Sequence, residues 1–299
     1  MDILRTPDER FAKLPGYDFS ANYLDDLPEA MGARVHYVDE GPRDAPLTFL
    51  CLHGQPAWSY LYRRMIPIFT QAGHRVVAPD MVGFGKSDKP ADEDFFSFTY
   101  HRQVLLAVVE RLDLRSFVLV CQDWGGILGL SFAEAIPNRL SGLLVMNTAM
   151  PVGETQGQGF ADWRAYSRRT PDMDIGKLIH RGNPHLTPEE VDAYNAPYPD
   201  ARYKAAVRRF PELVMTEPEM DGVEIMRCAA KFWRNDWDGP TFMAVGMQDP
   251  VFGGDHMERL RAQIRGCPPF MPVEQGGHFV QEFGAEIAEA ALRNSFGGV

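Results

Sequence analysis

The stretch 117–136 constrains the fold of this chain more than any other part of its 299 residues. Five apolar residues in succession, at 117–121, are typical of a strand that is buried on both faces. The small and apolar run 125–136 then predicts a helix that ends before Pro137. The sequence therefore predicts an abrupt strand-to-helix turn, with the polar side chain of Asp123 at its tip.

Strands alternate with helices along most of the chain, and this alternation predicts a mostly parallel sheet covered by helices on both faces. Two edge strands are expected near residues 19–24 and 34–40. The further strands are predicted at 48–52, 75–79, 117–121, 143–146, 241–245 and 270–273. Besides the helix after Asp123, helices are predicted at 58–72, 99–112 and 280–296.

The alternation stops between about residues 151 and 230, where charged residues, proline and tyrosine become more frequent and the pattern is helical. Thr187 and Glu190 have the spacing of a capping box, which marks the start of a helix. We therefore predict a core domain of residues 1–150 and 231–299, interrupted by a helical cap domain of residues 151–230.

Few polar residues lie at the carboxyl ends of the predicted strands, where parallel sheets carry their sites. They are His53, Gln55, Asp80, Asp123, Asn147, Asp249 and His278. The order Asp123, Asp249, His278 is that of nucleophile, acid and base in an α/β-hydrolase. Each also has a plainer interpretation, as a helix N-cap, a turn residue and a packed histidine. The buried strand before Asp123 and the paired glycines before His278 favour catalysis.

An aspartate at the tip, where such turns usually carry serine, changes the reaction that the turn can support. A serine that attacks a saturated carbon would leave an ether, whereas a carboxylate leaves an ester that water can cleave at its carbonyl carbon. Aspartate is ionised at neutral pH without help from a base, so His278, held by Asp249, can activate the water. Main-chain N–H groups of Gln55 and Trp124 would hold the oxyanion. The sequence therefore predicts hydrolysis at a saturated carbon that bears a leaving group.

A departing anion needs hydrogen-bond donors. The indole N–H of Trp124, beside the nucleophile, can only donate, and a hydrogen bond to an ion contributes about 1.5–3 kcal/mol. Trp163 is the tryptophan within the predicted cap. It could supply a second donor, or it could simply pack.

These residues resemble the haloalkane dehalogenases, in the subfamily whose catalytic acid follows the seventh strand. The matching motifs run through nearly the whole chain: His53-Gly-Gln-Pro56, Gly83-Phe-Gly-Lys-Ser-Asp-Lys-Pro90, Val120-Cys-Gln-Asp-Trp-Gly-Gly126, Phe160-Ala-Asp-Trp163, Phe232-Trp-Arg-Asn-Asp-Trp237, Gly246-Met-Gln-Asp249 and Gly276-Gly-His-Phe-Val-Gln-Glu282. The resemblance implies an α/β-hydrolase fold with a mostly parallel eight-stranded sheet and an inserted helical cap.

The resemblance also implies roles for individual residues. Asp123 would be the nucleophile, His278 the base and Asp249 the acid that orients it, while Trp124 and Trp163 would bind halide. A haloalkane and water would give a primary alcohol and halide, with no cofactor or metal. The pocket wall would be formed by Ile127, Phe160, Phe210, Pro211, Val214, Val251 and Phe252.

Gln55 departs from the pattern, because the relatives carry glutamate or asparagine at this position. Its side chain could bind halide, hold the hydrolytic water, or contribute only its backbone, so the substrate range stays open.

An epoxide hydrolase is the nearest alternative, since it shares the aspartate nucleophile. It would need acidic donors from the cap, usually two tyrosines. The candidates are Tyr166, Tyr194, Tyr198 and Tyr203.

Two non-hydrolytic alternatives are weaker. Gly85, Lys86 and Ser87 resemble the end of a phosphate-binding loop, but such a loop requires glycine five positions before Gly85, where Asp80 lies. A non-catalytic sensor of small apolar ligands shares the fold, but an intact catalytic triad argues against it, and a turnover assay would decide.

The net charge and the cysteines indicate which classes of binding partner and which cellular location to expect. A net charge of −11 argues against a nucleic-acid-binding surface. The sequence has no run of about 18 apolar residues, so we predict no membrane span. The first ten residues lack the apolar core of a secretory signal. The cysteines at 51, 121, 228 and 267 do not have the spacing of a metal or redox site, and we expect them to be reduced. We therefore expect a cytoplasmic protein that is a monomer or a weak homodimer.

Overall fold

The computed structural model describes residues 2–297 and is built around an eight-stranded sheet. In chain order the strands are β1 Asn22–Leu24, β2 Val35–Glu40, β3 Thr48–Leu52, β4 Arg75–Pro79, β5 Phe117–Cys121, β6 Leu140–Met146, β7 Thr241–Gly246 and β8 Met271–Val273. Their order across the sheet is β8-β7-β6-β5-β3-β4-β2-β1.

Strands β3 to β8 run parallel, whereas β2 is antiparallel to both of its neighbours. Every residue of β4 and of β5 is buried, so both faces of the sheet centre are covered. A separate two-stranded ribbon pairs Ile3–Leu4 with Lys89–Pro90. The predicted eight-stranded, mostly parallel sheet is confirmed.

Eleven α-helices accompany the sheet in the described chain. They are α1 Ile66–Gln71, α2 Phe98–Arg111, α3 Trp124–Leu130, α4 Phe132–Ala135, α5 Gln158–Arg169, α6 Ile175–Gly182, α7 Pro188–Asn195, α8 Ala205–Leu213, α9 Val223–Asn235, α10 Gly254–Arg261 and α11 Gly284–Ala291. Short 3₁₀ helices occupy Asp8–Phe11, Pro28–Ala30, Ser59–Tyr62, Glu93–Phe95, Pro137–Arg139, Ala201–Lys204 and Val280–Phe283, and Leu292–Phe296 forms a π-helix. Between residues 2 and 297, none of the helices has the length and apolar character to cross a bilayer.

Three predicted helices are interrupted. The predicted helix 58–72 consists of a 3₁₀ turn and then α1, which starts just before Pro67 because proline, lacking an amide hydrogen, is best tolerated in a first turn. The predicted helix 125–136 breaks at Ser131, whose hydroxyl donates to the Leu128 carbonyl and competes with the helical ladder. The final helix, predicted at 280–296, comprises a 3₁₀ turn, α11 and the π-helix.

Helices α5 to α9 form the segment inserted between β6 and β7. Thr187 is the N-cap of helix α7: its side chain accepts from the Glu190 amide, while the Glu190 side chain accepts from the Thr187 amide. The predicted capping box is therefore present. Helix α9 continues past residue 230 and packs against α4, so the chain returns to the sheet within a helix and not at a loop.

A buried cluster of ion pairs, the arginine–glutamate cluster, joins α7 to the sheet domain. Arg63 donates two hydrogen bonds of 2.7 Å to Glu282 and one of 2.9 Å to Glu190 on α7. Arg64 contacts the same two carboxylates, and the Tyr194 hydroxyl also donates to Glu282. Removing one partner of a buried pair typically costs about 3–5 kcal/mol, so this cluster holds α7 against the core.

Candidate active site

The turn between β5 and α3 places Asp123 in a strained backbone conformation, with φ 50° and ψ −125°. Such a conformation costs about 1–3 kcal/mol in a residue with a side chain. Asp123 occupies the N-cap position of α3, but its carboxylate makes no N-cap hydrogen bond. A Cβ on Gly125 would lie 1.9 Å from the Leu52 carbonyl oxygen, and one on Gly126 would lie 2.1 Å from the Thr148 hydroxyl oxygen. The two glycines are therefore needed for α3 to lie this close to its neighbours.

The three residues predicted as a triad lie together at the carboxyl edge of the sheet. The distance from His278 Nε2 to Asp123 Oδ2 is 3.4 Å, and that from His278 Nδ1 to Asp249 Oδ2 is 2.8 Å. Asn147 Nδ2 donates to Asp249 Oδ2 at 3.0 Å, and the Val251 amide donates to Asp249 Oδ1 at 2.8 Å. Both oxygens of Asp249 are thus held, and this carboxylate can fix the plane of the imidazole.

The two carboxylates control the charge of the imidazole. Burial lowers the pKa of His278, but Asp249 and Asp123 outweigh burial and raise that pKa to about 10. Burial raises the pKa of Asp249, but His278 and two main-chain amides bring it below its ordinary value. With both carboxylates beside it, the imidazole therefore holds its proton more strongly than a free histidine does.

Gln55 contacts Asp123 through its backbone and contacts helix α8 through its side chain. Its amide donates to Asp123 Oδ1 at 2.7 Å, and its side-chain Nε2 donates to the Val207 carbonyl at 2.9 Å. Because a carbonyl oxygen can only accept, the nitrogen of the Gln55 amide group must face Val207. Its Oε1 has no hydrogen-bond partner in the part of the chain that the structure describes.

Asp123 and His278 face a cavity of about 350 Å³ with a mainly apolar wall. Six of the seven predicted wall residues line it: Ile127, Phe160, Pro211, Val214, Val251 and Phe252. Phe210 does not. It is fully buried behind Trp124, with its ring edge-on to the indole at a centroid distance of 4.7 Å. The assignment of Phe210 to the wall is corrected accordingly.

Trp124 and Trp163 both line the cavity, and the indole N–H of each has no hydrogen-bond partner among residues 2–297. Trp233 and Trp237 lie elsewhere, and their N–H groups donate to the Leu130 carbonyl and the Thr241 hydroxyl, both at 2.8 Å. Two tryptophans of the cavity wall therefore have indole N–H groups that no described residue uses.

The cavity lining also includes residues that the sequence analysis did not assign to the site. Helix α6 contributes Leu178, Arg181 and Gly182, and loops contribute Gln248, Pro250, Gly277 and Phe279. A Cβ on Gly277 would lie 3.0 Å from the Gly182 carbonyl oxygen, so α6 ends directly on the loop that carries His278. Arg181 and Gln248 are exposed and mark the mouth of the cavity. Gln248, Gly277 and Phe279 stand in motifs that carry the family resemblance, whereas Pro250 and the α6 residues stand in none.

Asp80, although at a strand end, lies outside the cavity wall. Its carboxylate accepts hydrogen bonds of 2.7 Å from the amides of Ser59 and Lys86 and contacts His36 Nδ1 at the same distance. A Cβ on Gly85 would lie 2.1 Å from this carboxylate. The segment that resembles a phosphate loop therefore encloses a carboxylate of its own chain.

None of the four cap tyrosines is part of the described lining of the cavity. The Tyr194 hydroxyl donates to Glu282, and the Tyr198 hydroxyl donates to the Pro56 carbonyl at 3.2 Å. The Tyr166 ring lies 6.0 Å from the Trp163 ring, and Tyr203 is partly buried against the core.

Within residues 2–297, no three side chains of His, Cys, Asp or Glu lie close enough together to hold a metal ion. Cys51, Cys121 and Cys267 are buried, Cys228 is exposed, and all four thiols are free. Burial raises the pKa of Cys267 to about 12.

Comparison with known proteins gives consistent results. A family model described as "alpha/beta hydrolase fold" matches residues 48–178. The chain is 44% identical over 287 residues to a haloalkane dehalogenase of Psychrobacter cryohalolentis, covering 94% of each chain. It is 39% identical over 300 residues to one of Mycolicibacterium paratuberculosis, covering 98% of each. The tetrameric structure of haloalkane dehalogenase DpaA from Paraglaciecola agarilytica NO2 matches with a TM-score of 0.96 at 46% identity, covering 98% of both chains. The predicted α/β-hydrolase fold is confirmed.

Proposed function

Because the chain belongs to the haloalkane dehalogenase family, a family of hydrolases acting on carbon–halide bonds, we propose that it converts haloalkanes to primary alcohols and halide through an ester on Asp123. One observation supports this scheme above the others. The Asp123 carboxylate faces a mainly apolar cavity whose wall includes Trp124 and Trp163, and the indole N–H groups of both have no hydrogen-bond partner among residues 2–297.

In the first step, the Asp123 carboxylate attacks the carbon that bears the halogen. The Gln55 amide holds Oδ1 at 2.7 Å, which leaves Oδ2 to attack from the side opposite the halogen. The carbon–oxygen bond forms while the electrons of the carbon–halogen bond leave with the halide. The two indole N–H groups donate to the halide as its charge develops.

In the second step, water attacks the carbonyl carbon of the ester. His278 Nε2 takes a proton from that water, and Asp249 stabilises the imidazolium that forms. The oxyanion develops on Oδ1 of Asp123, where the amides of Gln55 and Trp124 receive it. Collapse of the tetrahedral intermediate breaks the bond between the carbonyl carbon and the alkoxide oxygen, and the imidazolium of His278 gives its proton to the departing alkoxide. The alcohol is released, and one water oxygen stays in the carboxyl group of Asp123, whose remaining proton returns to His278.

The first step changes the charge around His278, and the change sets a pH dependence. Esterification removes the negative charge of Asp123, which is one of the two charges that raise the pKa of His278 to about 10 in the free enzyme. The pKa of His278 in the alkyl-enzyme is therefore expected to be lower. Only the neutral imidazole accepts a proton, so ester breakdown should accelerate as pH rises through this lower pKa.

A pH-jump experiment on preformed alkyl-enzyme, quenched at intervals and analysed by intact mass, measures this profile. The His278 pKa of the free enzyme comes from an NMR titration of its imidazole. A breakdown rate that falls with rising pH, or a midpoint at or above the free-enzyme pKa, would contradict the assignment.

Trp163→Phe is expected to weaken bromide binding by about tenfold or more, because it removes one N–H donor to an ion and keeps the ring. Bromide quenching of tryptophan fluorescence measures the affinity. Trp237→Phe is the matched control, since the Trp237 N–H donates to the Thr241 hydroxyl outside the cavity. Equal bromide affinity in the two variants would remove Trp163 from the halide site.

The epoxide hydrolase alternative lacks support from the cavity wall. Opening an epoxide requires proton donors to an alkoxide, and the part of the wall that the structure describes has no tyrosine. The test is a halide-release screen of chlorinated, brominated and iodinated alkanes, with epoxides assayed in parallel. Diol formation without halide release would favour the alternative.

We retain the division into a core of residues 1–150 and 231–299 and a cap of residues 151–230, with α9 shared by both. The cytoplasmic location and the monomeric or weakly dimeric state stay predictions. Met31 is the one large hydrophobic side chain exposed among residues 2–297, and stable interfaces usually have apolar centres. The related DpaA is a tetramer, and light scattering distinguishes one chain from four.

A further inference from the structure

The side chain of Gln122, which neither half-reaction uses, connects the three loops of the site. We propose that Gln122 is a positioning residue for the second step, because it holds the main chain of His278 where the imidazole can activate water. This inference rests on the proposed function and assigns a further residue to it.

Gln122 is the last residue before the nucleophile and is fully buried. Its Nε2 donates to the His278 carbonyl oxygen at 2.9 Å. Its Oε1 accepts from Gln281 Nε2 at 3.4 Å, and Gln281 lies in the 3₁₀ turn that follows His278. The His278 carbonyl can only accept, so the orientation of the Gln122 amide is determined. One side chain thus ties the nucleophile turn to two points of the loop that carries the base.

The same amide also contacts the loop that carries Gln55. A Cβ on Gly54 would lie 2.5 Å from Gln122 Oε1 and 2.6 Å from Asp123 Cβ. The Gly54 backbone therefore lies directly on the Gln122 side chain, next to the amide that holds Asp123 Oδ1. Gln122 lies at the point where all three loops meet.

Two hydrogen bonds hold His278: one restrains its imidazole ring and the other restrains its backbone. Asp249 holds the ring through Nδ1 at 2.8 Å, and Gln122 holds the backbone through the carbonyl. His278 Nε2 lies 3.4 Å from Asp123 Oδ2, so the imidazole is next to the carboxylate on which the ester would form. A small shift of the loop changes this separation, and general-base catalysis is sensitive to such shifts.

The two half-reactions differ in their need for the base. Alkylation of Asp123 uses the carboxylate and the halide donors, whereas ester breakdown uses His278. Loss of the Gln122 contact should therefore slow breakdown selectively. A residue that only stabilised the fold would not separate the two steps.

Gln122→Met tests this, because methionine has a similar length and no donor. With 1-bromobutane, we expect the alkylation rate constant to stay within about threefold of wild type and ester breakdown to slow by about tenfold or more. Alkyl-enzyme should then accumulate in the steady state, as seen by rapid quench and intact mass. Bromide quenching and thermal melting report whether the variant is folded.

Gln281→Met is the matched control, since it keeps the bond from Gln122 to His278 and should leave breakdown within about threefold of wild type. If Gln122→Met is not recovered folded, Gln122→Asn keeps the amide, shortens its reach by one methylene and carries the same expectation. Equal losses in both steps, or unchanged breakdown, would overturn the role of Gln122. Halide release by the wild type without any ester on Asp123 would instead refute the proposed function.

Discussion

Asp123→Ala is expected to lower halide release from 1,2-dibromoethane by about 10⁴-fold or more, the order of loss seen when a nucleophile is removed. The variant has no atom that can form the ester, and the cavity alone supplies only binding. Steady-state bromide release measures the effect. Bromide quenching of tryptophan fluorescence should persist, because Trp124 and Trp163 remain in place, and it serves as the control for folding.

Isotope labelling examines the same atom in the unmodified protein. One turnover of wild type in heavy-oxygen water should leave label in the Asp123 carboxylate, since the water oxygen enters the ester carbonyl. Peptide mass mapping locates the label. Label that appears in the alcohol and never in the protein would mean that water attacks the substrate directly.

His278→Phe is expected to stop the reaction after the first step and to trap the alkyl-enzyme. Phenylalanine preserves an aromatic ring but cannot accept a proton, so ester breakdown should slow by about 10³-fold or more while alkylation continues. Intact mass after reaction with 1-bromobutane should show one butyl group per chain, with a stoichiometric burst of bromide.

The double variant with Asp123→Ala and His278→Phe is the matched control for this adduct. It should show neither butyl group nor burst, which would exclude alkylation of an exposed side chain such as Cys228. An unmodified protein mass in His278→Phe, together with continuing bromide release, would contradict the two-step scheme.

The central strands could be predicted to the residue, and the helix boundaries could not. Predicted strands 48–52, 75–79 and 117–121 coincide with β3, β4 and β5, because short apolar runs between turn residues leave little freedom of position. Helix interruptions depend on local competition, such as the hydroxyl of Ser131 that bonds to the backbone. The spacing of apolar residues in the sequence does not reveal such hydrogen bonds.

The site divides in the same way. The meeting of Asp123, Asp249 and His278 was predictable, because the ends of parallel strands lie at one edge of the sheet and bring residues together from distant positions. The residues of the cavity wall were less predictable. The position of Phe210 depends on how α8 is rotated about its axis, and this rotation places the Phe210 ring behind Trp124. The bond between Gln122 and the His278 backbone joins residues 156 positions apart, and no spacing rule reveals it.

The arginine–glutamate cluster limits how freely this enzyme could be rebuilt. A chimaera that received the inserted helices of a relative, but no acid in place of Glu190, would leave two guanidinium groups to share the single carboxylate of Glu282. The side chain of Arg63 is 2% exposed, so solvent could not compensate for the missing charge. Grafting therefore requires a matched acidic partner, even though the insertion is one continuous piece of chain.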